Sequence, residues 1–278
     1  MWFDPEEIDE LVQIGGLIRF SLPTNGGFQK NPADLAEKLA TVYAPARMAQ
    51  RFRYFENICL PSLKNQTDGE FTVGVLVGTD MPAKYRLRLE SLLEDVPQAR
   101  IIEKPLMHHR DAVAEAFDEV FDRQTPIRFS FRLDDDDALA IDYITQVREK
   151  LPQLLLMSGG LDPKPVCLTF SKGLSLLGPP DNRHFVAAYE RSPMAIGLAV
   201  LAPARCRPLV MNIPHMKIQT AMPTLMDPGP LMTLRTLHDN NDSMSRLFLE
   251  KRINLSDEAL KAALKARFML DAACLLAL

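Results

Sequence analysis

Residues 70–80, EFTVGVLVGTD, are apolar or glycine at nearly every position from Phe71 to Gly78. Side chains of a strand point alternately to opposite faces. A strand without polar alternation therefore needs cover on both faces, which a parallel sheet flanked by helices provides. Neighbouring segments supply those helices. In APARMAQRFRYFENICLPSL, Met48, Phe52, Phe55, Cys59 and Leu63 recur at three- and four-residue spacing. MPAKYRLRLESLLEDVP returns to helical period, and HHRDAVAEAFDEVFDRQ places Val113, Ala116, Phe117 and Val120 on one face. Short strands are read at Leu17–Ser21 and in ARIIEKP. In IRFSFRL, Ile127, Phe129, Phe131 and Leu133 alternate with Arg128, Ser130 and Arg132, a period of two. ALAIDYITQVREKLPQLL is helical again. The order β-α-β-α-β-α-β-α predicts an α/β fold with a mainly parallel central sheet flanked by helices. No linker interrupts the chain, so one domain is expected.

The second half lacks this rhythm. VCLTFSKGLSLL reads as a hairpin turning at Lys172–Gly173. RHFVAAYERSP and AIGLAVLAP read as strands, and MPTLMDPGPLMTLRTLHDNNDS as a loop followed by a short helix. A C-terminal helix opens at Ser256 as N-cap, with Leu255 and Leu260 as a hydrophobic staple. Leu260, Leu264 and Phe268 form its apolar stripe.

Composition excludes several functions. The 278 residues carry 32 Lys plus Arg against 36 Asp plus Glu, a net charge of −4. Broad nucleic-acid binding needs a basic surface instead. Cys59, Cys167, Cys206 and Cys274 have no metal-binding spacing, and read as reduced thiols of a cytoplasmic protein. No apolar run is long enough to span a membrane. Walker, GxGxxG, HExxH and GxSxG motifs are missing, and five histidines argue against a histidine-rich metal centre.

The positive signal is the run Asp134–Asp137, directly after the alternating strand. Ligands of open α/β sheets bind outside the carboxyl ends of the strands. Carboxylates are hard oxygen ligands suited to Mg²⁺ or Mn²⁺. The competing reading is a helix cap for ALAIDYI. One or two aspartates suffice for that, so the metal reading is preferred.

RFSLPT, RFRYFENICLPSLKNQTDGEF, FRLDDDDAL and LRTLHDNNDS, in this order, resemble the putative rhamnosyltransferase family of bacterial glycosyltransferases. The resemblance spans about Arg19 to Ser243. It implies a GT-A fold, the Rossmann-like nucleotide-diphospho-sugar transferase architecture. A donor half (about 17–155) would precede an acceptor half (about 156–250) and a C-terminal helix (about 255–278). It also implies a nucleoside-diphosphate sugar donor, Mn²⁺ or Mg²⁺, and transfer of a sugar to a glycan or glycoconjugate hydroxyl. The family name suggests rhamnose.

Carried onto this chain, the resemblance assigns Asp134 to the donor and Asp136 to the metal. Asp135 remains a candidate on the donor side and Asp137 on the metal side. Arg19 and Ser21 are candidates for nucleotide contacts, and Arg51, with Arg47 on the same helix face, for the diphosphate. Arg132 is expected to pair with the acidic cluster, ahead of touching the donor directly. His238 would complete the metal or diphosphate site, with His215 as second choice. His108 and His109 could lie near the donor. Glu190, Asp227 and Asp239 are candidates for a catalytic base. Two other readings stay open. One is a non-catalytic nucleotide- or sugar-binding protein of the same fold. The other is a metal-dependent phosphoryl-transfer enzyme, disfavoured because three predicted strands precede the aspartates. The terminal MLDAACLLAL is expected to pack back on the domain, with peripheral membrane contact left open.

Overall fold

The computed structural model describes residues 5–26, 34–207, 210–238 and 252–278. Helix α1 (Pro5–Leu11) runs directly into strand β1 (Val12–Arg19). Helices α2 (Leu35–Val42) and α3 (Pro45–Tyr54) follow. A π-helical segment (Phe55–Cys59) joins α3 to α4 (Leu60–Lys64) without a break. Next come β2 (Thr72–Gly78), α5 (Ala83–Leu93), β3 (Ala99–Lys104), α6 (His109–Val120) and β4 (Ile127–Asp134). Short β5 (Ala138–Leu139) and long α7 (Tyr143–Ser158) complete the first half. The second half contributes β6 (Val166–Phe170), β7 (Lys172–Leu177), β8 (His184–Tyr189) and β9 (Ala199–Pro203). Helix α8 (Ile218–Ala221), β10 (Thr224–Asp227), β11 (Thr233–Thr236), β12 (Arg252–Ile253), α9 (Asp257–Phe268) and α10 (Ala272–Leu276) end the chain.

Seven strands form one sheet in the order β10-β6-β9-β4-β1-β2-β3. The β3-β2-β1-β4 block is parallel, and β9 runs antiparallel between β4 and β6. A second sheet of five strands has the order β12-β8-β7-β11-β5. This is an α/β architecture with a mixed main sheet, GT-A-like as the resemblance implied. The register of β1 on β4 sets Arg19 beside Asp134, at the carboxyl end of both strands.

Strand β2 is buried from Val73 to Gly78, as an apolar run must be. The five apolar residues spaced along α3, the π segment and α4 are all buried, through the change of winding. Phe20 packs edge-on against Phe52 and Phe55, with ring centroids 4.9 and 5.2 Å away. Each such buried ring stabilises the fold by roughly 2–3 kcal/mol. Strand β1 begins five residues earlier than expected and ends two earlier, at Arg19, with Gly15 and Gly16 inside it. At Gly16 a Cβ would come within 2.3 Å of the Phe131 ring, so glycine lets β4's aromatic face press onto β1.

Three expectations about local structure are corrected. The segment around Lys172 is no hairpin: β6 belongs to the first sheet and β7 to the second. Ser171, 1% exposed, is the switch. Its N–H donates to the Asp227 carbonyl and its carbonyl accepts from Glu190 N–H. The segment from Met222 contains two strands, β10 and β11, whose partners β6 and β7 lie far back in sequence. Helix α7 starts at Tyr143, because Ala138 and Leu139 pair with β11 as a strand. At the C-terminus Ser256 caps α9 by accepting from Ala259 N–H, while Leu255 beside it is exposed. Leu270, Ala272 and Leu275 are buried in the main core, and Arg53 donates to the Leu278 carbonyl at 3.0 Å. Among the described residues no helix is long and apolar enough to cross a membrane.

Candidate active site

The acidic run occupies the junction of the two sheets. Asp134 is the last residue of β4 and Ala138 the first of β5. Arg132 Nη2 donates to both oxygens of Asp134, at 2.9 and 3.1 Å, and Arg19 Nη2 donates to Oδ1 at 3.0 Å. Burial alone would raise the carboxyl's pKa. The Arg132 and Arg19 guanidiniums outweigh it and hold Asp134 well below the usual carboxylate range.

Asp135 is 1% exposed and ion-paired to Arg51 from α3. Its Oδ2 is buried without a hydrogen-bond partner. Burial, only partly offset by Arg51, pushes its pKa up to about 6. Asp137 faces the second sheet, where its Oδ1 accepts from the Thr236 N–H at 2.9 Å. The Thr236 hydroxyl donates to the Asp136 carbonyl at 2.7 Å. Burial and then the neighbouring Asp136 and Asp134 raise the Asp137 pKa well above the ordinary value. The aspartates do not cap the next helix: Asp142 holds that position, and its carboxylate pairs with Arg267.

Asp136 Oδ2 meets Nε2 of His238 at 3.0 Å. Both side chains are 7% exposed. The His238 ring is stacked on Tyr54, with centroids 4.5 Å apart and planes 18° from parallel. The Asp136 carboxylate suits Mg²⁺ or Mn²⁺, hard cations commonly held by one or two carboxylates with water and substrate phosphates completing the shell. Among the described residues no group of three or more His, Cys, Asp or Glu side chains is placed to hold a metal ion. The unpartnered Oδ2 of Asp135 is a further acceptor in the same cluster.

The remaining donor-side candidates border this cluster. Arg47 donates to Ser21 Oγ at 3.0 Å and to the Val42 carbonyl at 2.7 Å. Ser21 has φ of 52°, an uncommon left-handed backbone for a non-glycine residue. Arg19 Nη1 lies 3.2 Å from His109 Nε2. His109 is 6% exposed, and burial together with the Arg19 charge lowers its pKa to about 4. His108 caps α6, its ring accepting from Arg110 N–H. Lys38, 4% exposed, donates to the Thr24 carbonyl and to Asn25 Oδ1, fastening the chain that leaves β1.

The base candidates separate. Glu190 follows β8, is half-buried, and has its pKa raised by burial against the opposing charge of Arg235. Arg235 also acts on Asp137 and His215. Asp227 is engaged elsewhere: its Oδ1 accepts from Gly229 N–H and its Oδ2 pairs with Lys150 at 2.9 Å. Asp239 lies outside the described residues. His215 has a lowered pKa, from burial and then Arg132 and Arg235. Sequence reasoning missed Tyr54, Arg183 and Thr236. Of these, Tyr54 carries a signal, a polar tip within an otherwise phenylalanine-rich helix stripe.

Fold and site together define an α/β protein of GT-A-like architecture with an acidic, arginine-lined cluster at the carboxyl ends of β1 and β4. Residues 13–248 match the family described as putative rhamnosyl transferase, and the chain belongs to that glycosyltransferase family. Comparison with curated proteins gives no match. Among solved structures, the chain is similar to TarS of S. aureus at 10% identity and a TM-score of 0.44, covering 81% of this chain and 37% of that one. Residues 1–349 of TarS, solved with UDP-GlcNAc, give 8% identity and 0.43, covering 84% and 62%. 4-Diphosphocytidyl-2C-methyl-D-erythritol synthase from Anaerococcus prevotii gives 9% and 0.34, covering 91% and 96%. The chain thus spans less than two thirds of the TarS chains it matches, and these low identities transfer no activity.

Proposed function

We propose that the protein transfers a sugar, rhamnose by the family's name, from a nucleoside-diphosphate sugar to a hydroxyl of a glycan or glycoconjugate. The observation that carries this reading is the meeting of Asp136 and His238, 102 positions apart, beside Asp134 and its two arginines. Asp136 and His238 would hold Mn²⁺ or Mg²⁺, with Asp137 and the open oxygen of Asp135 nearby. Bound there, the cation would neutralise charge on the departing diphosphate.

The chain's own groups have separate tasks in this reading. Asp134, kept ionised by Arg132 and Arg19, accepts hydrogen bonds from donor hydroxyls. Arg19 and Ser21 flank the nucleotide, and Arg51 stands ready to exchange part of its pairing with Asp135 for a phosphate oxygen. Such planar guanidinium pairing suits both carboxylate and phosphate. Glu190 takes the acceptor proton, since a partly buried carboxyl of raised pKa is suited to general-base work near neutrality.

A thermal-shift screen of UDP-, dTDP- and GDP-sugars with and without Mn²⁺ tests the proposal, because a ligand bound to the folded state raises Tm. One nucleotide class should stabilise the protein, and only when Mn²⁺ is present. No stabilisation by any of them would overturn the reading.

A further inference from the structure

Tyr54 closes α3 and is 3% exposed. It makes three structural commitments at once. Its ring face covers the His238 imidazole at 4.5 Å. Its hydroxyl accepts from Arg183 Nη2 at 2.9 Å, and the guanidinium carbon lies 6.0 Å from the ring centroid. The helix changes to π winding immediately after it, over Phe55–Cys59. π segments inside helices are frequent at functional sites. His238 lies two residues beyond the end of β11, so the strand ladder does not itself set the plane of its ring. Asp136 fixes one edge of that ring at 3.0 Å, and Tyr54 lies along its face.

We propose that Tyr54 is a positioning residue. Its ring face sets the plane of His238 so that Nε2 faces Asp136, the orientation in which the two residues serve one divalent cation. The inference rests on the reading of Asp136 and His238 as the cation site. It assigns a role to the RFRYFENICLPSL stretch that packing alone does not supply: Phe52 and Phe55 fill the core, while Tyr54 between them faces the site.

Two measurements test it. In proton spectra of the metal-free protein, ring stacking should displace the His238 Cδ2–H and Cε1–H resonances upfield of those of the other four histidines. His238→Ala identifies these signals. The second measurement is a titration with Mn²⁺ alone, followed by electron paramagnetic resonance. Tyr54→Phe keeps the ring and should bind like the unaltered protein. Tyr54→Leu should weaken binding on the order of tenfold, the lower end of what loss of an outer-shell partner costs. Added to His238→Ala, it should weaken binding no further. Full Mn²⁺ affinity in Tyr54→Leu, alongside weakened binding in His238→Ala, overturns the inference and leaves the cation site standing. Unchanged affinity in His238→Ala removes the cation site itself, and the inference with it. If Tyr54→Leu does not fold, the spectra of the unaltered protein and of Tyr54→Phe decide: absence of the upfield displacement in both rejects the stack.

Discussion

The backbone amide of Thr236 donates to Oδ1 of Asp137 at 2.9 Å, so one aspartate of the acidic run fastens the second sheet to the first. Removing that acceptor leaves a buried N–H unsatisfied, which costs about 1–3 kcal/mol. Asp137→Ala should therefore lower the unfolding free energy by that amount. Asp137→Asn keeps an acceptor and should hold near the original stability. Urea denaturation of both variants reads the anchoring role, and a Mn²⁺ titration of Asp137→Asn, which would lose affinity if Asp137 were a ligand, separates it from metal ligation.

Asp136 carries the cation assignment most directly. Asp136→Ala should abolish Mn²⁺-dependent nucleotide binding, measured by calorimetric titration, while the far-ultraviolet circular dichroism stays unchanged. Equal affinity with and without the carboxylate would remove the assignment.

Glu190→Gln tests the proposed base. Sugar transfer should fall by about 10²–10⁴-fold, the usual worth of a positioned acid–base group. Donor affinity should be retained. Undiminished turnover would leave Glu190 out of the chemistry.

His109 sets a pH dependence. Burial, then the charges of Arg19, Arg132, His108 and Arg110, bring its pKa from 6.5 down to about 4. A histidine of lowered pKa stabilises the fold fully above its unfolded value of 6.5, and that stability is lost as pH falls towards 4. The size is roughly 3 kcal/mol. His109→Gln retains an acceptor for Arg19 and removes the proton uptake. Its unfolding free energy should vary less between pH 6.5 and 4 than that of the unaltered protein, and an equal slope would contradict the assignment.

Gly16→Ala tests how tightly β1 and β4 are pressed together. A Cβ 2.3 Å from the Phe131 ring forces either strand or ring to move. Overpacking of this kind costs about 1–3 kcal/mol, which should appear as a lowered Tm.

The first half of the fold was legible because its signals are local. The apolar β2 run, the alternation of β4 and the stripes of α3 and α6 each need only a short window. The second half was not, because its pairing is remote. A single buried residue, Ser171, divides what looks like a hairpin between two sheets. Strands β10 and β11 have four residues each, too few to show a period among the neighbouring prolines. In the candidate site, the aspartates and arginines could be read as charges that need partners. The partners themselves depend on tertiary placement: Arg19 with Asp134 and Arg51 with Asp135 lie 115 and 84 positions apart. Tyr54 gave only the weak signal of its polar tip, because an aromatic residue beside an apolar helix stripe looks like core.

The sheet junction at Asp134–Asp137 also has a consequence in time. A chain synthesised from its N-terminus presents Arg19, Arg51 and Arg132 before the aspartates appear. Two of the four charges can thus be neutralised as soon as β1, α3 and β4 assemble. Thr236 and His238 emerge about a hundred residues later. Until then Asp136 and Asp137 lack those partners. The acidic junction should therefore be among the last parts of the molecule to close, so that binding of the proposed cation would mark completed folding.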